Sequence, residues 1–204
     1  MIKPHGLSLL LYRIATFMFF FLLDVTAWFN TKAAKRKNGL AGQTVLTCVD
    51  KQVVWVHCAS AGEFEQALPL LKRIKQEHTI HLAVSFFSAS GFEAHKDNTL
   101  LDAVYYLPKD SPRSAKQWYT GLKPDLAIFV RYEHWCYHLS QLYKNKVPVY
   151  LIAASFRKNQ LFFKTHALFS VFPTMLAMYT ERFVCDKIDK ERLAEISLNS
   201  IVSG

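Results

Sequence analysis

The sequence predicts an α/β fold: a doubly wound parallel sheet preceded by a hydrophobic anchor helix. Three observations carry this. β-branched and aromatic runs of four to seven residues recur along the chain from residue 53. Stretches with helical spacing separate them, and the connections are short, the pattern of β-α-β units. Residues 7–29 form the third, an apolar segment unlike anything after it.

That segment comes first in the chain. Its uninterrupted part, Ile14 to Leu23, lies between Arg13 and Asp24. A spanning helix wants about 20 apolar residues, and half of that fits an uncleaved anchor that lies in or dips through a membrane interface. Tyr12 and Trp28 are then expected as its interfacial aromatics. A cleaved signal is disfavoured, because Trp28, Phe29 and Asn30 stand where small residues would be needed. A buried amphipathic helix is the alternative. The cluster Lys32, Lys35, Arg36, Lys37 follows, suited to an anionic cytoplasmic leaflet. Residues 1–38 are therefore expected to be anchor and basic juxtamembrane segment, with Gly39-Leu-Ala-Gly42 as a linker into one domain over 39–204.

Within that domain, Val53 to Cys58 reads as the first strand. Helix 63–76 follows, with Ala67, Leu70, Leu71 and Ile74 on one face. Strands at 80–85, 104–107, 126–130, 147–153 and 180–185 come next. Helices are expected at 88–95, 112–120, 134–144, 160–177 and 187–196. With 51% hydrophobic residues the chain is too apolar for disorder. Cys48, Cys58, Cys136 and Cys185 make no C-x-x-C pair, which argues against a zinc knuckle or redox dithiol. His134 and His138 have no third ligand in motif order and read as ordinary helix residues.

Ligands of such sheets bind beyond the carboxyl ends of the strands, so the loops there are the ones to read. After the first strand stands Ser60-Ala-Gly62-Glu63. One reading is a capping box, Ser60 with Glu63. The other is a site, with Gly62 admitting close approach and Glu63 facing the crevice. A helix N-terminus lowers a carboxyl pKa, so Glu63 as a base needs compensating desolvation. After the fourth strand stands Arg131-Tyr-Glu133-His-Trp135. Glu133 there is either an ion-pair partner of a nearby base or a second carboxylate of the same cleft. Ser88, after the second strand, reads as a helix cap or a substrate contact. Ser155 and Arg157, after the fifth, read as anion contacts or a solvated basic face.

These motifs carry a resemblance. Val54-Trp-Val-His-Cys-Ala-Ser-Ala-Gly-Glu63 with Ala67-Leu-Pro-Leu70, Tyr106-Leu-Pro-Lys-Asp110, Lys123-Pro-Asp-Leu-Ala-Ile-Phe-Val130, Glu133-x-Trp135, Ser155-x-Arg157 and Cys185-Asp-Lys-Ile-Asp-Lys-Glu-Arg-Leu193 occur in this order. Together they resemble the 3-deoxy-D-manno-octulosonic acid (Kdo) transferases of lipopolysaccharide biosynthesis. The resemblance implies a GT-B enzyme of two Rossmann-like halves, of which this sequence matches the N-terminal, acceptor half. It implies Glu63 as general base and Glu133 as transition-state support. Ser60, Gly62, Ser88, Arg131, Ser155 and Arg157 are the expected substrate-binding residues. The implied donor is CMP-Kdo, with no cofactor and no metal. The implied partners are a lipid A precursor and the cytoplasmic, anionic face of the inner membrane, with no nucleic acid. Arg131 and Cys136 depart from the acidic residue and the Pro of many members. The family's G-x-x-K/R-F-D segment begins at the position of Gly204, so the donor-binding loops are not in this sequence, and the 204 residues alone are expected to be inactive. A membrane-attached, non-catalytic module for anionic lipid is the competing reading. A soluble hydrolase using Glu63 and Glu133 is a third, opposed by the apolar N-terminus.

Overall fold

The computed structural model describes residues 4–45, 50–131, 133–164 and 166–203. Cys48, Tyr132 and Gly204 of the sequence reading lie outside the described residues. Among the described residues, seven parallel strands form one sheet: β1 (Gln52–Cys58), β2 (Ile80–Phe86), β3 (Ala103–Tyr106), β4 (Leu126–Val130), β5 (Val149–Ala154), β6 (Glu181–Val184) and β7 (Ile201–Val202). Their order is β3-β2-β1-β4-β5-β6-β7. The chain runs outward from β1 to β3, crosses back, and runs outward the other way from β4. This is the Rossmann-like order, and it makes the β1–β4 boundary the switch point.

Two buried clusters, one on each face, explain why the strands are nearly all apolar. Alternate residues of β1 divide between them. Val54, Val56 and Cys58 pack with Phe64, Ala67 and Leu71 of α3 (Ala61–Glu77). Val53 and Trp55 pack with Trp118 and Leu122 of α5 (Pro112–Leu122), Leu139 and Leu142 of α6 (Cys136–Lys144), Met175 of α7 (Val171–Ala177) and Leu193 of α8 (Lys187–Glu195). The short α4 (Ala89–His95) sits beside α3, near enough that a Cβ on Gly91 would meet the Ala61 amide nitrogen at 3.2 Å. Cys58, Cys136 and Cys185 are free thiols.

The structure departs from the sequence reading in five places. Gly39 to Gly42 is no linker but the end of a helix, α2 (Thr31–Gly42), which runs through the expected boundary at residue 38. A Cβ on Gly39 would lie 2.3 Å from the Tyr106 ring, so this glycine serves a close helix–sheet approach. The helix expected over 160–177 is two single turns, 161–163 and 167–169, followed by α7. Pro173 explains the late start: it lacks an N–H and clashes with the carbonyl four residues back, so it fits only a first turn. His134 precedes α6 rather than lying in it. β7 was not foreseen.

The fifth departure concerns the first helix, α1 (Gly6–Thr26), which is long and apolar enough to cross a membrane by length and composition. It is not the buried amphipathic helix of the alternative, since Phe17 is 72% exposed, with Leu10, Ile14, Met18, Phe21 and Leu22 also exposed. Its opposite face is pinned along the domain. Ser8 Oγ accepts from the Val171 amide at 3.0 Å, the Tyr12 hydroxyl donates to Asp110 at 2.6 Å, Phe20 is buried, and Asp24 pairs with Lys109. Tyr12 is thus a tether to the domain and not an interfacial aromatic. Trp28, 78% exposed, remains free to be one.

Candidate active site at the sheet switch point

β1 and β4 are hydrogen-bonded neighbours, with His57 opposite Phe129. The loops after them carry Glu63 and Glu133, close enough that the Glu133 charge is felt by Glu63. His57, the penultimate residue of β1, is fully buried. Its Nε2 lies 3.1 Å from Glu133 Oε2, and its Nδ1 lies 2.9 Å from Ser85 Oγ. The Trp55 indole N–H donates to the same Ser85 Oγ at 2.9 Å. Nδ1 also lies 3.1 Å from the Ser85 carbonyl oxygen, so both ring nitrogens have polar partners, Ser85 on one side and Glu133 on the other. The Trp135 indole N–H adds a second donor to Glu133 Oε2 at 2.8 Å.

The two carboxyls are driven apart electrostatically. Burial pushes Glu133 upward, but the hydrogen bond and charge of His57, then the Trp135 bond, outweigh it and hold the group below the usual carboxylate range. Glu63 goes the other way. Burial raises it, amide donors from Ala59 and Ser60 oppose, and the Glu133 charge adds to the rise. The desolvation that a base at a helix N-terminus requires is therefore present. A pair with separated pKa values, one carboxylate fixed as an anion and one nearer neutrality, is the arrangement that divides electrostatic from proton-transfer duty.

The flanking residues fall into place unevenly. The capping box is half formed: Glu63 reaches back to the Ala59 amide, while Ser60 occupies the N-cap without a side-chain hydrogen bond. The Ser60 hydroxyl is thereby left to other work. A Cβ on Gly62 would meet nothing within 4 Å, so nothing in the described residues requires glycine there. Ser88 caps α4, accepting from the Gly91 amide at 3.1 Å, and its own amide donates to Ala59 O at 2.9 Å. Arg131 adopts φ 62°, a costly conformation for a side-chain-bearing residue. Its amide donates to Ile152 O at 2.9 Å, and its charge is felt by the Cys185 thiol. The nearby base that pairs with Glu133 is His57. Ser155 and Arg157 follow β5, one strand further out. Among the described residues, no hydrogen bond or ion pair is seen between them and either glutamate.

His57, Ser85 and Asp110 were not singled out by sequence reasoning. His57 lies inside the β-branched run of the first strand. The available signal was that a buried histidine must find polar partners. Asp110, buried, accepts from the Tyr137 and His138 amides at 3.0 and 3.1 Å as well as from Tyr12. It thus ties α1 to the start of α6. His134 Nδ1 is 2.9 Å from the Tyr179 hydroxyl, and burial pushes this imidazole down to about 4.

A family model described as 3-deoxy-D-manno-octulosonic-acid transferase (kdotransferase) matches residues 28–203. The 3-deoxy-D-manno-octulosonic acid transferase of Aquifex aeolicus is 39% identical over 105 residues, 51% of this chain and 28% of that protein. That of Haemophilus influenzae is 34% identical over 106 residues, 50% of this chain and 24% of that protein. The chain thus spans about a quarter of the length of the curated relatives it matches. Among solved structures, the UDP-GlcNAc 2-epimerase of Neisseria meningitidis bound to UDP-GlcNAc superposes with a TM-score of 0.51 at 16% identity. That match covers 75% of this chain and 46% of the epimerase. It is a likeness of fold, and it agrees with one Rossmann-like half of a GT-B architecture.

Proposed function

The chain belongs to the 3-deoxy-D-manno-octulosonic-acid transferase (kdotransferase) family, and from that premise we propose that it is the acceptor half of an enzyme moving Kdo from CMP-Kdo to a lipid A precursor. The observation that supports this reading best is Glu63, its pKa raised, beside an anionic Glu133 at the switch point. In the proposed reaction an acceptor hydroxyl gives its proton to Glu63. Its oxygen bonds to the anomeric carbon of Kdo, the bond from that carbon to the phosphate oxygen breaks, and CMP leaves with the electron pair. Glu133 stays ionised, where its charge stabilises positive character developing on the sugar. Ser60, Gly62 and Ser88 are proposed to border the acceptor. Arg131, Ser155 and Arg157, further along the strand ends, are proposed to face the donor side.

We propose further that residues 1–38 attach the chain to the cytoplasmic face of the inner membrane, with α1 lying in the interface. The tethers at Ser8, Tyr12, Phe20 and Asp24 hold its length against the domain while the opposite face stays apolar and exposed. The test follows Kdo addition to a lipid A precursor by the chain alone and by the chain joined to the donor half of a family member. Transfer is expected only with the donor half, because positioning donor against acceptor supplies much of the rate. Transfer by the 204 residues alone would reject the half-enzyme reading. Tight lipid binding with no transfer in the joined protein would favour the non-catalytic module.

A further inference from the structure

Where α1 turns into α2, a cavity of about 310 Å³ opens between that elbow and the start of α4. Arg36, Lys32, Ser88 and Ser90 bring cations and hydroxyls to its wall, and Leu23 and Ala33 bring apolar surface. Arg36 is the unusual element. Only 4% exposed, it has no carboxylate within ion-pair distance among the described residues. Asp24, the acidic group whose charge it feels, is paired with Lys109. The Arg36 Nε donates to Phe87 O at 3.0 Å and its Nη2 to Leu107 O at 2.9 Å. These bonds fix the guanidinium plane and leave Nη1 with no hydrogen-bond partner among the described residues. The guanidinium carbon lies 5.7 and 4.5 Å from the Phe20 and Phe87 ring centroids, so π faces and carbonyls stabilise this buried cation, and an anion at its remaining edge would complete it.

We propose that this cavity is an anion subsite for a phosphate monoester carried by a membrane lipid. Nη1 of Arg36, the Lys32 ammonium and the Ser88 hydroxyl, which accepts from the Ser90 hydroxyl at 3.3 Å, form a donor set matched to phosphate oxygens. The setting identifies a lipid rather than a free solute. The cavity lies at the end of the exposed apolar helix, beside Trp28 and Phe29 at 78% and 87% exposure, where a headgroup would stand. It also adjoins the candidate active site. Ala59 donates its amide to Glu63 and accepts at its carbonyl from the Ser88 amide at 2.9 Å. The Phe87 ring lies 4.5 Å from the Arg36 guanidinium carbon and stacks 5.5 Å from Trp135, whose N–H holds Glu133. Resting on the acceptor-half reading, the subsite would grip the phosphate of the acceptor while a hydroxyl of the same molecule reaches Glu63.

The test uses the full chain in neutral detergent micelles, with inorganic phosphate against chloride at equal ionic strength, read by amide NMR. Saturable shifts at residues 32–33 and 88–91 are expected. They should weaken about tenfold in a Lys32→Ala, Ser90→Ala variant, the loss of charge-assisted hydrogen bonds. Both residues are exposed, and circular dichroism checks the fold. Arg36→Lys, which keeps the charge, should retain part of the binding. A vesicle arm compares phosphatidylcholine carrying phosphatidic acid, a phosphate monoester, with phosphatidylglycerol, a diester. Preference for phosphatidic acid, lost in the double variant, supports the proposal. Unsaturable shifts, or equal shifts in the double variant, overturn the site. Phosphate binding without a phosphatidic-acid preference overturns the lipid assignment. None of these readings depends on Kdo transfer, so failure of the transfer assay leaves the subsite standing and indicts the catalytic reading alone.

Discussion

His57 and Glu133 meet across the boundary between the two halves of the sheet, imidazole Nε2 to carboxylate Oε2 at 3.1 Å. One comes from the end of β1 and the other from the loop after β4, so the contact exists only because those strands are neighbours. It holds Glu133 in its charged form inside the protein. Replacing His57 with Ala leaves the Trp135 N–H as the strongest remaining donor. The Glu133 carboxyl should then titrate above its present position, because burial is no longer outweighed. Stability should fall by about 1–3 kcal/mol, the cost of leaving a buried polar group short of partners. A carbon-detected titration of glutamate carboxyls and a urea melt read the two effects. An unmoved Glu133 titration would show that the imidazole does not set its charge.

How much of this was legible beforehand divides by the range of the interaction. The strands and most helices follow from local pattern, and the loops bearing Glu63 and Glu133 follow from the rule that sites lie at carboxyl strand ends. The pairing of His57 with Glu133 spans 76 residues, and no periodicity encodes it. Arg36 read as one of four surface cations because composition shows charge and not burial; only its contacts with Phe87 and Leu107 reveal a core arginine. Gly39 read as a linker because a glycine needed for flexibility and one needed for close packing look alike in sequence. The apolar run over 160–177 has helical spacing throughout, and only the break into two single turns before α7 shows where the helix starts.

Asp110 and His138 give opposite pH slopes from adjoining positions. Burial pushes the Asp110 carboxyl up from 3.8 to about 6, against the bonds from Tyr12, Tyr137 and His138. A group whose folded pKa is raised contributes stability below its unfolded value and loses it as pH rises through 6. Burial, with the His57 charge, pushes His138 down from 6.5 to about 3. Its contribution is present above 6.5 and is lost as pH falls toward 3. Between pH 4 and 6, Asp110→Asn should therefore make stability rise more steeply with pH than it does in the parent chain. His138→Phe should make it rise less steeply. That substitution also removes Nδ1, a buried atom without a hydrogen-bond partner among the described residues. Melting temperature against pH for the three proteins checks both signs; parallel curves would refute them.

Membrane attachment is testable without deleting the segment. A truncation near residue 39 would remove Arg36 and most of α2, confusing attachment with folding. Phe17→Ser with Phe21→Ser instead alters the exposed stripe and leaves the tethers at Ser8, Tyr12, Phe20 and Asp24 untouched. Each buried phenylalanine is worth about 1.5–3 kcal/mol of transfer, so partition to phosphatidylcholine vesicles should drop at least tenfold. High-salt release of the parent chain would assign attachment to Lys32, Lys35 and Lys37 instead.

The two glutamates should separate in a pH–rate profile of the chain joined to a donor half. Glu63→Gln keeps an oxygen to accept from the Ala59 amide, so the start of α3 should fold as before. It removes the proton acceptor, and a general base is typically worth about 10²–10⁴-fold. Glu133→Gln should also slow transfer, because an anion is lost beside the reacting sugar. It should do something more specific as well. The Glu133 charge is one of the causes holding Glu63 upward, after burial. Without it Glu63 ionises at lower pH, and the acid limb of kcat/KM for the residual activity should move toward acid. A glutamate that acted only by packing would lower the profile without moving that limb. If Glu63→Gln stays folded and fully active, Glu63 is a cap and nothing more. If Glu133→Gln leaves the limb in place, the carboxyls are not coupled, and the division of duties between them fails with that coupling.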